Sequence, residues 1–391
     1  MGKRELLLVV VFVIVGAIVY EATAPPPAPG ERSFSPSRII DNIRRGVRGN
    51  RASADTVSTA THAVDASAMN LELSWPKGSP SELTIVGEER DDIGSELNVH
   101  SRAFDDEEAQ RTAKATVLKV DAAAGGLLAT VDFPREGLQT ANLTLRVPSR
   151  LRLKVTGART RTRVTNVAAL ELENGRGTTE IKQVKGRVTG EYRGGDLRIA
   201  GVGELKFTTI GTDVRLEQIA GETSMNMRAG NLRGMELGGP IDLDTTGVDI
   251  ELEKLDKTTG IVRINATAGS VSVRGLRTDA RVDARGSAVD VILDRAVPLA
   301  IYSEGGAPVE ITPPPGGYQL DAVAADGNIV VPEHTVEVTA SGDEHRATGA
   351  VKGGGPLVTI RTSHASITVR EREETEKSGG NGEKLTTEKR R

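Results

Sequence analysis

The chain has 391 residues, with 50 Lys and Arg against 54 Asp and Glu and a formal net charge of −4. That balance gives no basic bias and argues against nucleic acid as a partner. There is no cysteine, so disulfides, thiolate metal sites and cysteine nucleophiles are excluded. Glycine is abundant at 44 residues while aromatics make up 3%. A core so poor in aromatic rings must be built from Val, Ile and Leu, which suits thin repeated layers better than one thick core.

Residues 1–24 open with Lys3 and Arg4, followed by an apolar run from Leu6 to Tyr20 that extends to Ala24 if Glu21 sits at an interface. The run approaches the roughly 20 residues a bilayer span needs and predicts an N-terminal transmembrane helix. A cleaved signal is the competing reading, since Ala22-Thr23-Ala24 has the small-x-small form, although Pro25 follows directly. The basic start places the N-terminus in the cytoplasm and the body outside it. Arg32, Arg38, Arg44, Arg45 and Arg48 lie on the far side of the run and pull the other way.

Residues 25–60 read as a linker: a Pro-rich spacer over 25–37, then a basic segment in which Ile39, Ile40, Ile43 and Val47 share one helical face among arginines. That face suits an anionic lipid surface, while a short linker helix packed on the domain and plain disorder are the alternatives.

The body, 61–370, carries period-two alternation of apolar and polar residues, as in Asp196-Leu197-Arg198-Ile199, Asp213-Val214-Arg215-Leu216 and Val248-Asp249-Ile250-Glu251-Leu252. Glycines precede these strands at Gly175, Gly195, Gly211, Gly230, Gly247, Gly269 and Gly286, an imperfect but persistent repeat. A strand of about five residues with one apolar face cannot bury that face alone. Stacking such strands about 4.8 Å apart aligns the apolar faces into one core. The predicted fold is therefore all-β, a single-chain parallel β-solenoid (β-helix) preceded by the transmembrane helix, with its core repeats over about 156–295. An antiparallel sandwich or barrel is the alternative. Acidic runs at Glu88–Asp92 and Asp105–Glu108 are expected to be solvated loops. The tail 371–391 mixes acidic and basic residues with Gly and Ser and is expected to be disordered.

One resemblance emerges from the order of motifs. Leu145-Arg-Val-Pro148-Ser-Arg-Leu151-Arg-Leu-Lys-Val155-Thr-Gly157, the Gly-x-Val-x-Val ladder after it, and Gly355-Pro-Leu-Val-Thr-Ile-Arg-Thr362 followed by Ser366-Ile-Thr-Val369 resemble the bacterial putative-adhesin domains, over roughly 65–370. Those domains usually carry Gly-Asp before the last strand, where this chain has His364-Ala365-Ser366. The resemblance implies a β-helical, often membrane-tethered envelope domain with no known catalytic residues.

The chemically reactive residues point the same way. The five histidines, His62, His100, His334, His345 and His364, form no i, i+2 or i, i+4 pair. His334 and His345, beside Glu333, Asp343 and Glu344, and the carboxylates Asp242, Asp244 and Asp249, the latter weighed for calcium, read as solvated loops and strand faces. No P-loop, Gly-x-Ser-x-Gly or dinucleotide fingerprint appears. A polysaccharide-cleaving β-helix would need clustered carboxylates and stacking aromatics. Between Thr156 and Arg295 the aromatics are Tyr192 and Phe207 alone.

No catalytic, cofactor-binding or metal-binding residue is therefore assigned. The expected function is a noncatalytic, single-pass membrane protein of the bacterial envelope. The membrane is reached through the N-terminal helix, and an extracytoplasmic surface contacts an unknown protein or surface partner. A membrane-proximal signalling or assembly scaffold is the alternative, and a carbohydrate-active enzyme a more distant one.

Overall fold

The computed structural model describes residues 52–74, 80–123, 125–134, 138–157, 161–333 and 336–371. Among these residues, twenty-two strands form one continuous sheet of mixed direction. Its middle is parallel and runs as two ladders that the chain visits alternately.

The first ladder passes from Asn70–Ser74 to Arg152–Thr156, then to 169–173. Further along it runs 205–210, 223–228, 241–246, 262–267, 280–285 and Leu299–Glu304. The second ladder includes 82–86, Arg161–Thr165 and 178–182. It continues through 214–219, 232–237, 248–252, 269–273, 289–292 and Val309–Thr312. One circuit of the coil returns the chain to the same ladder, as from Arg152 to Ala169, from Thr223 to Ile241 and from Ile241 to Val262.

Register puts like on like. Phe207, Met225, Leu243, Ile264, Val282 and Ile301 stack in one inward column, and Val214, Leu232, Ile250, Val271, Val289 and Val309 in another. All are buried in one contiguous core. Each such side chain contributes about 1.5–3 kcal/mol by leaving water. The alternation that predicted strands is therefore also what fills the space between the ladders.

The corners explain the glycines, with one exception. Six of the seven spaced glycines have positive φ, among them Gly247 at +64° and Gly230 at +118°. Gly175 has no such φ. A Cβ there would meet the Tyr192 ring at 2.5 Å, so close approach rather than handedness requires glycine. Tyr192 is fully buried, and its hydroxyl donates toward the carbonyls of Gly177 at 2.8 Å and Asp196 at 3.2 Å. Burial pushes its phenol up to about 12.

Tyr192→Phe is expected to cost about 1–3 kcal/mol in denaturant unfolding, because the two carbonyls lose their shared donor. The unfolded phenol titrates near 10. Its raised folded value adds stability that is fully present below pH 10 and disappears as pH rises through about 12. Melting curves between pH 9 and 12 should fall less steeply for Tyr192→Phe. An identical slope in both proteins would contradict the assignment.

Two parts of the expected fold are corrected. The first is the single-chain parallel β-solenoid. Pairing is antiparallel at both ends: Ala52–Ala63 with Asp92–Ala103, Asp92–Ala103 with Gln139–Pro148, and Val117–Ala123 with Gly126–Asp132. At the other end, Tyr318–Ala325 and Val338–Ser341 both run antiparallel to Glu344–Val351. Hairpins terminate ladders that would otherwise offer open edges to other chains. Strand Ala52–Ala63 also begins inside the stretch expected as linker.

The second correction is the transmembrane helix. Among the described residues no helix is long and apolar enough to cross a membrane, and residues 1–24 lie outside them. The single α-helix among the described residues, Asp106–Ala115, has three acidic residues in its first turn. It occupies an acidic run expected as a loop. Asp105 is its N-cap and accepts from the Glu108 backbone N–H at 2.7 Å, which satisfies an orphan donor of the first turn.

Candidate functional site

The outer face of the second ladder carries side chains in registered rows. Because side chains alternate along a strand, every second residue of each layer points outward. The corners hold the layers in register, so equivalent positions form rows. One row contains Asp196, Asp213, Asn231, Asp249 and Ser270. The next contains Arg198, Arg215, Arg233, Glu251 and Ser272. Together with Arg274 these residues line a shallow groove of about 650 Å³.

Arg215 is the direct register partner of Arg233, and Arg233 of Glu251. The pairings are uneven. Arg233 Nε lies 3.1 Å from Glu251 and Arg274 Nη1 lies 3.8 Å from Glu253. In the first row, Asn231 Nδ2 donates to Asp213 at 2.8 Å and Ser270 Oγ to Asp249 at 2.7 Å. Arg198 and Arg215 are exposed and have no ion pair among the described residues. Like charges directly opposite one another across a ladder are unfavourable. The groove therefore holds two guanidinium groups without an ion pair, those of Arg198 and Arg215, beside a separate row of acceptors.

The carboxylates weighed for calcium do not converge. Asp242 and Asp244 lie on the outer face of the first ladder, where Asp244 accepts from Asn226 Nδ2 at 3.3 Å. Asp249 lies past the Gly247 corner, on the second ladder. No group of three or more His, Asp or Glu able to hold a metal occurs among the described residues. His345 Nδ1 lies 2.7 Å from the Gly327 carbonyl, and His364 Nδ1 lies 3.1 Å from Asp326. His334 falls outside the described residues.

The arginine row was missed as a site although its signal is visible. Asp-Leu-Arg at 196–198, Asp-Val-Arg at 213–215 and Asn-Leu-Arg at 231–233 recur once per circuit of the coil. Aligning the repeat by its arginines rather than its glycines exposes it.

Several solved bacterial structures resemble the chain at low identity. One, a putative cell adhesion protein from Clostridium sporogenes, is 10% identical. The match covers 82% of this chain and all of that one, with a TM-score of 0.21. A putative adhesin from Parabacteroides merdae is 14% identical over 66% of this chain and 97% of its own, with a TM-score of 0.33. A putative lipid binding protein from Parabacteroides distasonis is 11% identical over 67% and 99%, with a TM-score of 0.29. No family model and no curated protein matches. Identities and TM-scores this low transfer neither geometry nor function.

Proposed function

We propose that this chain is a noncatalytic binding module that works outside the cytoplasm and offers the outer face of its second ladder to a protein or surface partner. One observation carries the reading: an Asp or Asn followed two positions on by an Arg recurs in three successive layers, 196–198, 213–215 and 231–233, over the groove lined by Asp196 to Arg274. A repeated, flat array of this kind suits an extended partner that makes the same contact several times. Catalysis instead needs a few groups held around one reacting atom.

Because much of this face is charged, capture should weaken with salt. Full-length protein immobilised on a resin is expected to retain bacterial envelope material at low ionic strength, releasing most of it by about 0.5 M salt, where the screening length is only a few ångströms. Substituting outward charges on the second ladder should abolish retention, while matched substitutions on the first ladder should not. Equal retention by both variant sets would refute the assigned face.

A further inference from the structure

We infer that the groove on the second ladder binds an extended acidic glycan, with its carboxylate or phosphate groups on the arginine row and its hydroxyl groups on the Asp and Asn row. This deepens the binding-module reading and rests on it. Three observations support the ligand class. First, Arg198 and Arg215 have no carboxylate partner among the described residues, and Arg215 sits in register against Arg233. An anion placed across two neighbouring guanidinium groups removes their repulsion and gains charge-assisted hydrogen bonds.

Second, the acceptors lie in their own row. Asp196 and Asp213 stand two positions before Arg198 and Arg215 on the same strand faces, yet no ion pair joins them. Carboxylates left free of the arginines can accept from sugar hydroxyls. A ligand that was only anionic would be repelled by this row, and one that was only hydroxylated would leave the arginines unmatched. A glycan carrying both groups meets both rows.

Third, the groove lining contains no aromatic side chain. Neutral sugars are commonly held by stacking on aromatic faces, and that platform is missing, so charge must supply the affinity. The groove crosses five layers at about 4.8 Å per layer. Its length suits a chain of several sugar units with one acidic group per unit or two.

The test uses the full-length protein and four probes in calorimetric titrations at low salt: oligogalacturonate, a phosphate-bearing mannan, maltohexaose and polyglutamate. Binding of either acidic glycan is expected, with the stronger of the two showing which anion the site prefers. Maltohexaose should not bind. Arg198→Gln with Arg215→Gln should weaken the acidic glycan about a hundredfold, roughly tenfold per lost charged hydrogen bond. Arg263→Gln, on the outer face of the first ladder, should leave affinity unchanged.

Thermal melting should show both variants about as stable as the parent, since all three substituted side chains are exposed. If polyglutamate binds as well as oligogalacturonate, the groove reads charge alone and the glycan assignment fails. Unaltered affinity in the double variant also overturns it. If no glycan binds while envelope material is still retained through the second ladder, the ligand class is wrong and the binding-module reading survives.

Discussion

A chain that stops at Gly355 should lose its C-terminal end as a folded unit. The last strands do not add to the end of the stack; they insert within it. Leu357–Ser363 pairs in parallel with Leu299–Glu304 on one side and with Tyr318–Ala325 on the other. Ile367–Val369 lies in the same way between Val309–Thr312 and Ile329–Val330. Among the described strand pairings, the hairpin of Tyr318–Ala325 and Glu344–Val351 therefore joins the ladders through Leu357–Ser363, which follows it in sequence.

The inserted layer brings Val358, Ile360, Ile367 and Val369 into the core, all buried. Arg361 reaches across from it, donating to the Asp321 carboxylate at 2.5 Å and to the Asp321 carbonyl at 2.9 Å. The hydrogen bond to the carboxylate holds the Asp321 carboxyl below its ordinary value. Four aliphatic side chains at about 1.5–3 kcal/mol each come to more than about 5 kcal/mol, comparable with the net stability of a whole domain.

The truncated protein is expected to expose 318–351 to rapid proteolysis and hydrogen exchange. It should also self-associate, because Leu299–Glu304 and Val309–Thr312 become open edges. Ile360→Asp keeps the chain length and should reproduce the effect by burying a carboxylate between Ile301 and Ala322. A monomeric truncated chain with 318–351 still protected would show that the hairpin holds itself.

The second large effect concerns a pair of glycines that differ only in their corner. Gly230 has φ +118°, and a Cβ there would sit 2.1 Å from the Thr212 carbonyl oxygen of the previous layer. Gly247 has φ +64° and open space around the same position. Gly230→Ala must both adopt a backbone region closed to L-residues and push two layers apart. Strain and overpacking each cost about 1–3 kcal/mol, so a loss of roughly 3 kcal/mol or more is expected. Gly247→Ala should cost only about 1 kcal/mol, the ordinary penalty of the left-handed helical region. The chain itself supplies the control: Ala229 and Ala268 adopt that region at φ 56° and 54° in neighbouring corners. Urea unfolding should show Gly230→Ala as clearly the less stable of the two variants, and equal losses would refute the close-approach account.

These corners show how far the repeat could be read in advance. Spacing marked Gly195, Gly211, Gly230, Gly247, Gly269 and Gly286 as corners, yet it could not tell Gly230 from Gly247. That difference lies in the distance to a carbonyl one layer away. Gly175 was placed in the same set, although its reason is the Tyr192 ring. In the binding face, Asp-x-Arg repeats were present in the strands at 196–198 and 213–215. Only register shows that Arg215 meets Arg233 while Arg233 meets Glu251.

The amino-acid order alone determined the all-β character, the alternation that buries one face of each strand, and the near-regular recurrence of glycine corners from Gly195 to Gly286. Those are local properties, set by side-chain period and backbone freedom at single residues. The tertiary structure decided the antiparallel hairpins at both ends, the helix Asp106–Ala115 in an acidic run, and the insertion of 357–369 between earlier strands. It also decided which charges stand opposite one another in the groove. Each of these depends on contacts between residues far apart in the chain, and the free energy of such contacts is set by packing and open edges that no short window of sequence contains.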